Sequence, residues 1–583
     1  MSSSRRPLAG SLIVFLVAIA AILSTTSFAL ASPPRTVSVV VRQAPGSGRA
    51  PEQAVKRLGG TVVARVNLID AFTATMPKSA VGRLRRTAGV ASVTRDRSLT
   101  LASMDGVDQS LDSGSPQSVR SIIGAATYWD AGLTGAGVDV ALIDSGVAPV
   151  DGLSLAGKVV NGPDLSFESQ DPALRHLDTF GHGTHMAGII AGEDDATGTV
   201  TSTDTDHFMG VAPGARIVSV KVADAFGSTD LMQVLVAIDW VVKHRHDNGL
   251  NIRVLNLSFG TDSTQSYTVD PLAYAVEAAW KKGIFVVVSA GNEGYGTTSM
   301  NSPAYDPLVM AVGADDSNGT VSRTDDVVAS FSSRGDATRH PDILAPGRSI
   351  ISLRDPGSYI DTVYPAARVG DTARFFRGSG TSQAAAVVSG AAALVIQQHP
   401  KITPDQLKAL LTSTAFHLAD ADVLGQGSGL LDLSAAFTAP IPAHAKQKDT
   451  KAKGTGSIEA ARGSLHLWNH GVELTGEKDI FGLSVNTAKW AAREALGTAW
   501  VDGDWMGRAW TGHGWSTSSS SVLSWTGRRW TSASWSGRSW TSGAWAGRSW
   551  TRSSGWTGGS WTGRSWTSDT WSGDTWSSSG WGT

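Results

Sequence analysis

The sequence predicts an α/β fold in which helices sandwich a parallel sheet, with a small α+β domain before it and a low-complexity tryptophan-repeat tail after it. Three observations support this order. In the middle of the chain, near-continuous apolar runs alternate with longer amphipathic stretches, which is typical of strands buried on both faces and of the helices that cover them. Nearer the N-terminus the alternating runs are shorter, and towards the C-terminus tryptophan recurs about every five residues.

Length and composition limit the classes of protein that need to be considered. A chain of 583 residues is too long for one average core, so several domains are expected. A net charge of -2 gives no electrostatic argument for a nucleic-acid partner. Because cysteine is absent, disulfides and thiolate chemistry play no part. We expect tight packing or bound structural Ca²⁺ to stabilise the protein instead.

The N-terminal segment, residues 1–31, has the features of a secretory signal. Arg5 and Arg6 precede a short apolar run from Leu12 to Leu23, and the small-residue sequence Ala29-Leu30-Ala31 follows it. The alternative is an uncleaved membrane anchor, but the apolar run is short for a spanning helix, which needs roughly 20 residues. The sequence therefore predicts a secreted protein.

Residues 32–102 are predicted to form a compact α+β domain. The segment "RTVSVVVR" alternates as a strand does, "PEQAVKRLGG" is amphipathic and closed by glycine, and two further strands, a second helix and a last strand follow. This order is that of a split β-α-β unit. A polar stretch containing glycine and serine, within residues 103–119, is predicted to be a linker.

Residues 120–437 are predicted to form the main α/β domain. Its apolar runs are "VDVALID", "RIVSVKV", "RVLNLSF", "GIFVVVSA" and "LVMAVGA". Amphipathic helices are predicted between them, in "STDLMQVLVAIDWVVKHR" and "DPLAYAVEAAWKKG". In such sheets ligands bind beyond the carboxyl ends of the strands. Reactive residues are therefore expected just after the apolar runs.

After Phe437 the composition changes. Residues 438–456 contain proline and lysine and are predicted to be a linker, while the fold of residues 457–499 is not indicated by the sequence. Residues 500–583 form the tail, which carries 16 of the 21 tryptophans, nearly all five residues apart. Two interpretations stay open: short stacked strands with Gly/Ser turns, or a disordered Ser/Thr/Gly segment. Many exposed indoles favour a partner, either a cell-envelope glycan or other copies of the tail.

Three polar residues flanked by glycine stand at the predicted carboxyl edge: Asp144 in "VALIDSGV", His182 in "GHGTHMAGIIAG" and Ser382 in "GTSQAAAVVSG". A serine becomes a nucleophile when a histidine takes its proton and a carboxylate orients that histidine. Each residue also has a structural explanation. Asp144 suits a turn, Ser382 a helix cap, and His182 with His185 a metal site, although no acidic residue lies between the two histidines.

The same segments, in the same order, closely resemble the catalytic segments of the subtilisin-like serine proteases, the subtilases. The resemblance runs from about Ile122 to Phe437 and includes "MGVAPGARIVSVKV", "SAGNEG", "ASFSSRG" and "DILAPG". The chain order Asp, His, Ser is the one typical of that family. The resemblance implies a subtilisin-like fold and a secreted serine endopeptidase that cleaves protein or peptide substrates without a cofactor for the chemistry.

Roles for individual residues follow from the resemblance. Asp144, His182 and Ser382 are implied as orienting carboxylate, base and nucleophile. Asn292 and the backbone of Ser382 are implied as the oxyanion hole, which stabilises the developing alkoxide. Two tripeptides are implied to flank the substrate, and they consist of Ser258, Phe259 and Gly260, and of Ser289, Ala290 and Gly291.

The chain departs from the family pattern after the nucleophile. Gln383 stands where methionine is usual, and Ala386 and Val387 replace a usual proline and histidine. The segment "RDPGSYIDTVYPAARVGDTARFF" ahead of Ser382 is also enlarged. We expect activity to survive and the mouth of the site to differ.

Residues 32–102 resemble the inhibitor-like propeptide of these enzymes, notably in "GVASVTRD". This implies a self-processed proenzyme whose own propeptide is an intramolecular inhibitor; an ordinary accessory domain is the alternative. The rival function for the whole chain is a catalytically silent, surface-binding or structural protein that acts through its tail. The tail also raises the expectation of association with the cell wall.

Overall fold

The computed structural model describes residues 36–66, 70–95, 104–194, 201–294, 300–469, 472–510 and 525–527. The predicted signal and most of the predicted tail lie outside these residues. The chain divides into two compact units, residues 1–100 and residues 101–583.

The N-terminal unit is a four-stranded antiparallel sheet with two helices. Its elements are β1 (Thr36–Gln43), α1 (Ala50–Arg57), β2 (Thr61–Val66), β3 (Ala71–Pro77), α2 (Val81–Leu84) and β4 (Val90–Arg95). The strand order is β2-β3-β1-β4, and every pairing is antiparallel. Alternate residues of β1 point inwards, so Val39 and Val41 are fully buried against Phe72. The predicted split β-α-β arrangement is confirmed.

The second unit is built on a large, mostly parallel sheet. Its strands are β5 (Asp139–Asp144), β6 (Val159–Asp164), β7 (Arg216–Lys221), β8 (Ile252–Leu257), β9 (Phe285–Ser289), β10 (Met310–Asp316), β11 (Val327–Val328) and β12 (Ile343–Pro346). Along the sheet the order is β6-β7-β5-β8-β9-β10, with β12 parallel and β11 antiparallel to β10. All five predicted apolar runs are strands of this sheet.

Helices cover both faces of the sheet. Those of the main domain are α3 (Pro116–Ile123), α4 (Ala126–Asp130), α5 (His182–Ala191), α6 (Leu231–His244), α7 (Pro271–Lys281), α8 (Tyr359–Val363), α9 (Thr381–Gln398), α10 (Pro404–Ser413), α11 (Val423–Gln426) and α12 (Leu433–Thr438). Helix α5 lies on the connection from β6 to β7, α6 on that from β7 to β8, and α7 on that from β8 to β9. Helices α6 and α7 pack beside each other. Helix α9 packs beside α5.

The enlarged segment before Ser382 forms α8 and part of a second sheet. This sheet has the order β13-β15-β14, with β13 (Ile350–Leu353), β14 (Arg368–Val369) and β15 (Phe375–Gly378). The backbone N–H of Tyr359 donates to the carbonyl of Thr179, and that of Ile360 donates to the carbonyl of Phe180. The enlargement therefore supports the loop that leads into His182.

The two predicted linkers are packed against the second unit where the structure describes them. In residues 104–119 the side chain of Gln109 is buried and donates to the carbonyl of Thr205, and α3 already begins at Pro116 with Ser115 as its cap. In residues 438–456 the backbone N–H of Ala452 donates to Glu277 Oε1 at 2.6 Å. Most of these residues lie outside helices and strands, and long-range hydrogen bonds hold them in place.

Residues 457–510 form a C-terminal segment that packs on the main domain. Its elements are α13 (Ile458–Arg462), β16 (Leu467–Asn469), β17 (Val472–Glu473), α14 (Thr487–Ala495), β18 (Trp500–Val501), β19 (Asp504–Trp505) and β20 (Arg508–Ala509), and β21 (Trp525–Gly527) pairs with β16. Its apolar residues, including Ile458 and Trp490, belong to the same core as the central sheet. Asp239 of α6 accepts the indole N–H groups of Trp490 and Trp505 at 2.7 Å and 2.6 Å.

The first three tryptophans of the predicted tail are buried in this segment. Trp500, Trp505 and Trp510 are 4%, 6% and 0% exposed. Trp500 pairs with Trp505 across two strands, and a two-residue turn with positive φ at both Asp502 and Gly503 joins those strands. Trp500 and Trp505 therefore lie on neighbouring strands of one hairpin.

Among the residues that the structure describes, no helix has both the length and the apolar character that a membrane span requires.

Candidate active site

The ends of β5 and β8 and the start of α9 meet at the carboxyl edge of the central sheet. Asp144 ends β5, and the pairing of Ile143 with Leu257 places the end of β5 beside Ser258, which follows β8. Ser258 Oγ donates to the carbonyl oxygen of Ser382 at 3.5 Å. The edge therefore carries Asp144 and the start of α9 together, at the position where the strand order reverses and ligands bind in α/β sheets.

The histidine of this edge is held by the aspartate. His182 Nδ1 lies 2.8 Å and 2.9 Å from the two carboxylate oxygens of Asp144, and both side chains are buried. Because a carboxylate only accepts, Nδ1 carries the proton and Nε2 is left as the basic nitrogen. The pair therefore has the tautomer that a general base needs.

Glycine permits the close approach of α5 to the end of β5. A Cβ at Gly183 would lie 2.1 Å from the carbonyl oxygen of Gly146, so no other residue fits there without displacing backbone. Gly181 has φ 103°, and a Cβ there would meet Ser358 Oγ at 2.5 Å. The two glycines around His182 are thus required by geometry.

Ser382 is the second residue of α9, and its neighbour Thr381 is bound to Asn292. The Asn292 Oδ1 atom accepts from the backbone N–H and the hydroxyl of Thr381 at 2.9 Å and 3.0 Å. These two donors fix the orientation of the carboxamide, so Nδ2 is its donating end. Ser382 itself is 1% exposed, and its hydroxyl has no hydrogen-bond partner among the described residues. The N–H groups of the first turn of α9 add positive potential beside it.

The two predicted substrate segments lie at the ends of neighbouring strands. Ser258, Phe259 and Gly260 follow β8, while Ser289 ends β9 and Ala290 and Gly291 follow it. Strands β8 and β9 pair in parallel, so both tripeptides are at the same edge as Asn292. All six residues are buried.

Ser145 and Asp178 also belong to this site, although the sequence patterns did not point to them. Ser145 Oγ lies 2.7 Å from Asp178 Oδ1 and 3.2 Å from Asp144 Oδ1. Asp178 also accepts the backbone N–H groups of Gly181 and Thr184, both at 2.7 Å. Burial raises the pKa of Asp178, and these hydrogen bonds oppose that rise. Its place four residues before His182 was the signal available in the sequence.

The alternative of a histidine metal site is not supported. His185 Nε2 donates to the carbonyl of Phe376 at 3.0 Å, and burial lowers the pKa of His185 to about 3. Among the described residues, no three or more His, Asp or Glu side chains are grouped so as to hold a metal ion. His185 is therefore a neutral core residue.

The residues that depart from the family pattern are inside the protein. Gln383, Ala386 and Val387 are all 0% exposed. Neither the Oε1 nor the Nε2 atom of Gln383 has a hydrogen-bond partner among the described residues. Burying an unpaired carboxamide is costly, so this position destabilises the fold beside the nucleophile.

Family models match much of both units of the chain. The subtilase family model matches residues 135–455, more than half of the chain, and a peptidase inhibitor domain model matches residues 29–96. The serine protease AprX of Bacillus subtilis is 39% identical over 306 residues, which are 52% of this chain and 66% of AprX. Subtilisin E of the same species is 31% identical over 387 residues, which are 66% of this chain and 84% of subtilisin E.

The chain thus spans slightly less than two thirds of AprX. Among solved structures, that of fervidolysin from Fervidobacterium pennivorans, a keratinolytic enzyme related to subtilisin, is similar at 25% identity and a TM-score of 0.44, over 73% of this chain and 63% of that one. From the family match across residues 135–455 and the likeness to most of subtilisin E, we conclude that this chain belongs to the subtilase family of serine peptidases.

Proposed function

We propose that the protein is a secreted serine endopeptidase that hydrolyses peptide bonds through an acyl-enzyme. The observation that carries the proposal is the contact of His182 Nδ1 with both oxygens of Asp144, at 2.8 Å and 2.9 Å, on the sheet edge where Ser382 lies in the first turn of α9. A buried carboxylate bound to one ring nitrogen is the arrangement that makes the other nitrogen a base.

In the proposed reaction Ser382 Oγ attacks the carbonyl carbon of the scissile bond while its proton passes to His182 Nε2. Asp144 stabilises the imidazolium that forms. The oxyanion accepts hydrogen bonds from Asn292 Nδ2 and from the backbone N–H of Ser382. When the C–N bond breaks, His182 gives its proton to the leaving amine. A water molecule deprotonated by the same histidine then hydrolyses the acyl-enzyme and releases Ser382.

Substrate binding would use the tripeptides Ser258–Gly260 and Ser289–Gly291. Both lie at strand ends beside Asn292, where an extended peptide could add to the backbone as a further strand. Protein and peptide chains in extended form are therefore the proposed substrate class.

A fluorophosphonate probe and a peptide substrate test the enzyme against a catalytically silent protein. We expect the wild type to be labelled at Ser382 and to hydrolyse the peptide, and we expect Ser382→Ala to do neither. Ser389→Ala, another buried serine of α9, is the matched control. An unlabelled, inactive and correctly folded wild type would favour the silent, surface-binding protein.

We also propose that residues 32–102 act as an intramolecular inhibitor that the enzyme removes itself. The match of residues 29–96 to a peptidase inhibitor domain and the independent core of the first unit support this role. Mass spectrometry of secreted Ser382→Ala should find residues 32–102 still attached, whereas the wild type should lack them. Normal trimming of the variant would show that another protease does the processing.

Attachment of the tail to a cell-envelope glycan is a separate proposal. It rests on the sixteen tryptophans and their interleaved arginines in residues 500–583. Trp500, Trp505 and Trp510 are buried on the main domain, so any attachment must use the later ones. A fusion carrying residues 511–583 should be retained on isolated cell walls, and a fusion without them should wash off. If the fusion is retained because its tails associate with each other, it should also form oligomers when no cell walls are present.

We propose calcium only as a stabilising ion outside the reaction. The described residues offer no cluster of three or more carboxylates or histidines for it, but the side chains of Asp315 and Asp326 are buried and lie within hydrogen-bond distance of each other. Carboxylate oxygens are the ligands that Ca²⁺ prefers. Calcium added after chelation should raise the melting temperature of the wild type and not that of Asp326→Asn.

A further inference from the structure

Behind the Asp144–His182 pair lies a second buried carboxylate, connected to the first by a single hydroxyl. Ser145 Oγ is within hydrogen-bond distance of Asp178 Oδ1, at 2.7 Å, and of Asp144 Oδ1, at 3.2 Å. It also accepts the backbone N–H of Gly183 at 3.0 Å. Ser145, Asp144 and Asp178 are 0%, 1% and 2% exposed, so bulk water does not compete for these bonds.

A serine hydroxyl has one proton, so it donates to only one of the two carboxylates at a time. The shorter distance assigns that proton to Asp178. Asp144 Oδ1 then accepts from the Ser145 backbone N–H, at 2.8 Å, and from His182. If the proton turned to Asp144, a further donor would draw negative charge away from the histidine, and the Asp144–His182 bond would weaken.

We propose that Asp178 is a positioning residue for catalysis: by accepting the proton of Ser145, it keeps the charge of Asp144 available to His182. The inference rests on the proposed peptidase function and deepens it. Asp178 touches neither the substrate nor the reacting atoms and acts through Ser145.

Asp178 also has a structural role, as a cap of α5, that must be distinguished from its proposed effect on Asp144. Its carboxylate accepts the N–H groups of Gly181 and Thr184 and so fixes the first turn of α5. Loss of this cap would also displace His182, and activity alone does not distinguish the two effects. A double-mutant cycle with Ser145 does so, because the bonds of Asp178 to Gly181 and Thr184 do not involve the Ser145 hydroxyl, and the bond of that hydroxyl to Gly183 is lost equally in both Ser145→Ala enzymes.

Four purified, processed enzymes are compared: wild type, Asp178→Asn, Ser145→Ala and the double variant. With the hydroxyl present, Asp178→Asn should lower kcat about tenfold and leave KM nearly unchanged, as weakening of one charge-assisted hydrogen bond predicts. In the Ser145→Ala background the same change should alter kcat less than about twofold. An equal loss in both backgrounds would overturn the proposal and leave Asp178 as a helix cap.

Asp164→Asn is the matched control. Asp164 is buried at the end of β6 and accepts the backbone N–H groups of Ser166 and His176, without contact to Asp144 or His182. Its replacement should leave kcat unchanged. A tenfold loss there would show that any buried capping aspartate has this effect, and would contradict a special role for Asp178.

A spectroscopic measurement makes the test independent of turnover. The proton on His182 Nδ1 should give a downfield ¹H resonance, which is also observable in Ser382→Ala. The Asp178→Asn substitution should move this resonance upfield of its wild-type position, whereas in the double variant the resonance should stay at the wild-type position. If Asp178→Asn does not fold, Ser145→Ala alone tests the proposal. An upfield shift of the His182 resonance in that variant would refute the idea that the Ser145 proton is kept on Asp178 and away from Asp144. Absent peptide hydrolysis and labelling in the wild type would refute the peptidase, whereas an unmoved resonance would refute only the role of Asp178.

Discussion

Trp505 donates its indole N–H to Asp239 Oδ2 at 2.6 Å, and so joins the C-terminal segment to α6 in the core of the main domain. Trp490 donates to the same oxygen at 2.7 Å. Burial raises the pKa of Asp239 to about 7 and that of Glu494, its acidic neighbour on α14, to about 8. The segment is therefore held by a carboxylate that costs free energy to ionise.

The stability of this contact should depend on pH. The two pKa values are raised on folding, so the folded state holds protons that the unfolded state loses from about pH 4 upwards. The free energy of unfolding should therefore fall between about pH 4 and 8. Asp239→Asn keeps an acceptor for the indoles but does not ionise. Its melting temperature should exceed that of the wild type at pH 9 and not at pH 5, and an equal difference at both would contradict this explanation.

Arg462 should be among the most important side chains of the C-terminal segment. It is 0% exposed and pairs with Asp230, the capping residue of α6, at 2.8 Å. Arg462→Met leaves that carboxylate buried without its cation, which typically costs about 3–5 kcal/mol. The matched control is Arg65→Met, in the N-terminal unit of the unprocessed chain. Arg65 is half-exposed and pairs with Glu52, so about 0–1 kcal/mol is expected. Urea titrations of unprocessed Ser382→Ala measure both.

Gln383→Met should stabilise the protein. The change removes a buried carboxamide with no partner among the described residues, and methionine has a similar volume. We expect a gain of about 1–3 kcal/mol in the free energy of unfolding. Ser389→Ala serves as the contrasting variant, since the Ser389 hydroxyl donates to Asn256 Oδ1 at 2.9 Å and its loss should destabilise. A loss of stability in Gln383→Met would mean that the amide is paired in solution.

Asn292→Ala should impair turnover far more than binding. The side chain of Asn292 is the proposed donor to the oxyanion, which exists only in the transition state, so kcat should fall with little change in KM. The loss of the corresponding donor in subtilisin costs about 10²–10³ in kcat, and we expect the same order here. The contrasting variant is Thr381→Val, which removes one of the donors to Asn292 Oδ1 and should have a smaller effect. Equal effects would assign the loss to disturbed packing.

Much of the fold was predictable because local patterns of apolar and capping residues indicate its strands and helices. The strand ending in Asp144 is apolar throughout, as burial on both faces demands, and α6 shows helical spacing with Asp230 as its cap. Glycines near Asp144, His182 and Ser382 drew attention to these residues, and the resemblance of their segments to those of the subtilases implied their roles. The structure places them at one sheet edge, although their roles are still proposals.

Other features could not be predicted in this way. The first tail tryptophans were expected to be exposed, yet Trp500, Trp505 and Trp510 are buried. A five-residue period does not reveal where each hairpin turns or which surface lies below it. Ser145 and Asp178 were not predicted either, because a serine after a strand and an aspartate in a loop are common. Their hydrogen bond to each other becomes visible only in the folded structure.

The amino-acid order by itself determined the layered α/β architecture and the compact N-terminal domain, because hydrophobic periodicity acts over a few neighbouring residues. The candidate nucleophile, base and carboxylate were implied by the resemblance of whole segments to those of the subtilases. Only the tertiary structure decided that the Ser145 hydroxyl lies within hydrogen-bond distance of two carboxylates. It also decided that Asp239 accepts the indole N–H groups of two tryptophans that lie more than 250 residues later in the chain. Such contacts join residues 33 and 266 positions apart, and they depend on how whole strands and helices are packed, which no local pattern specifies.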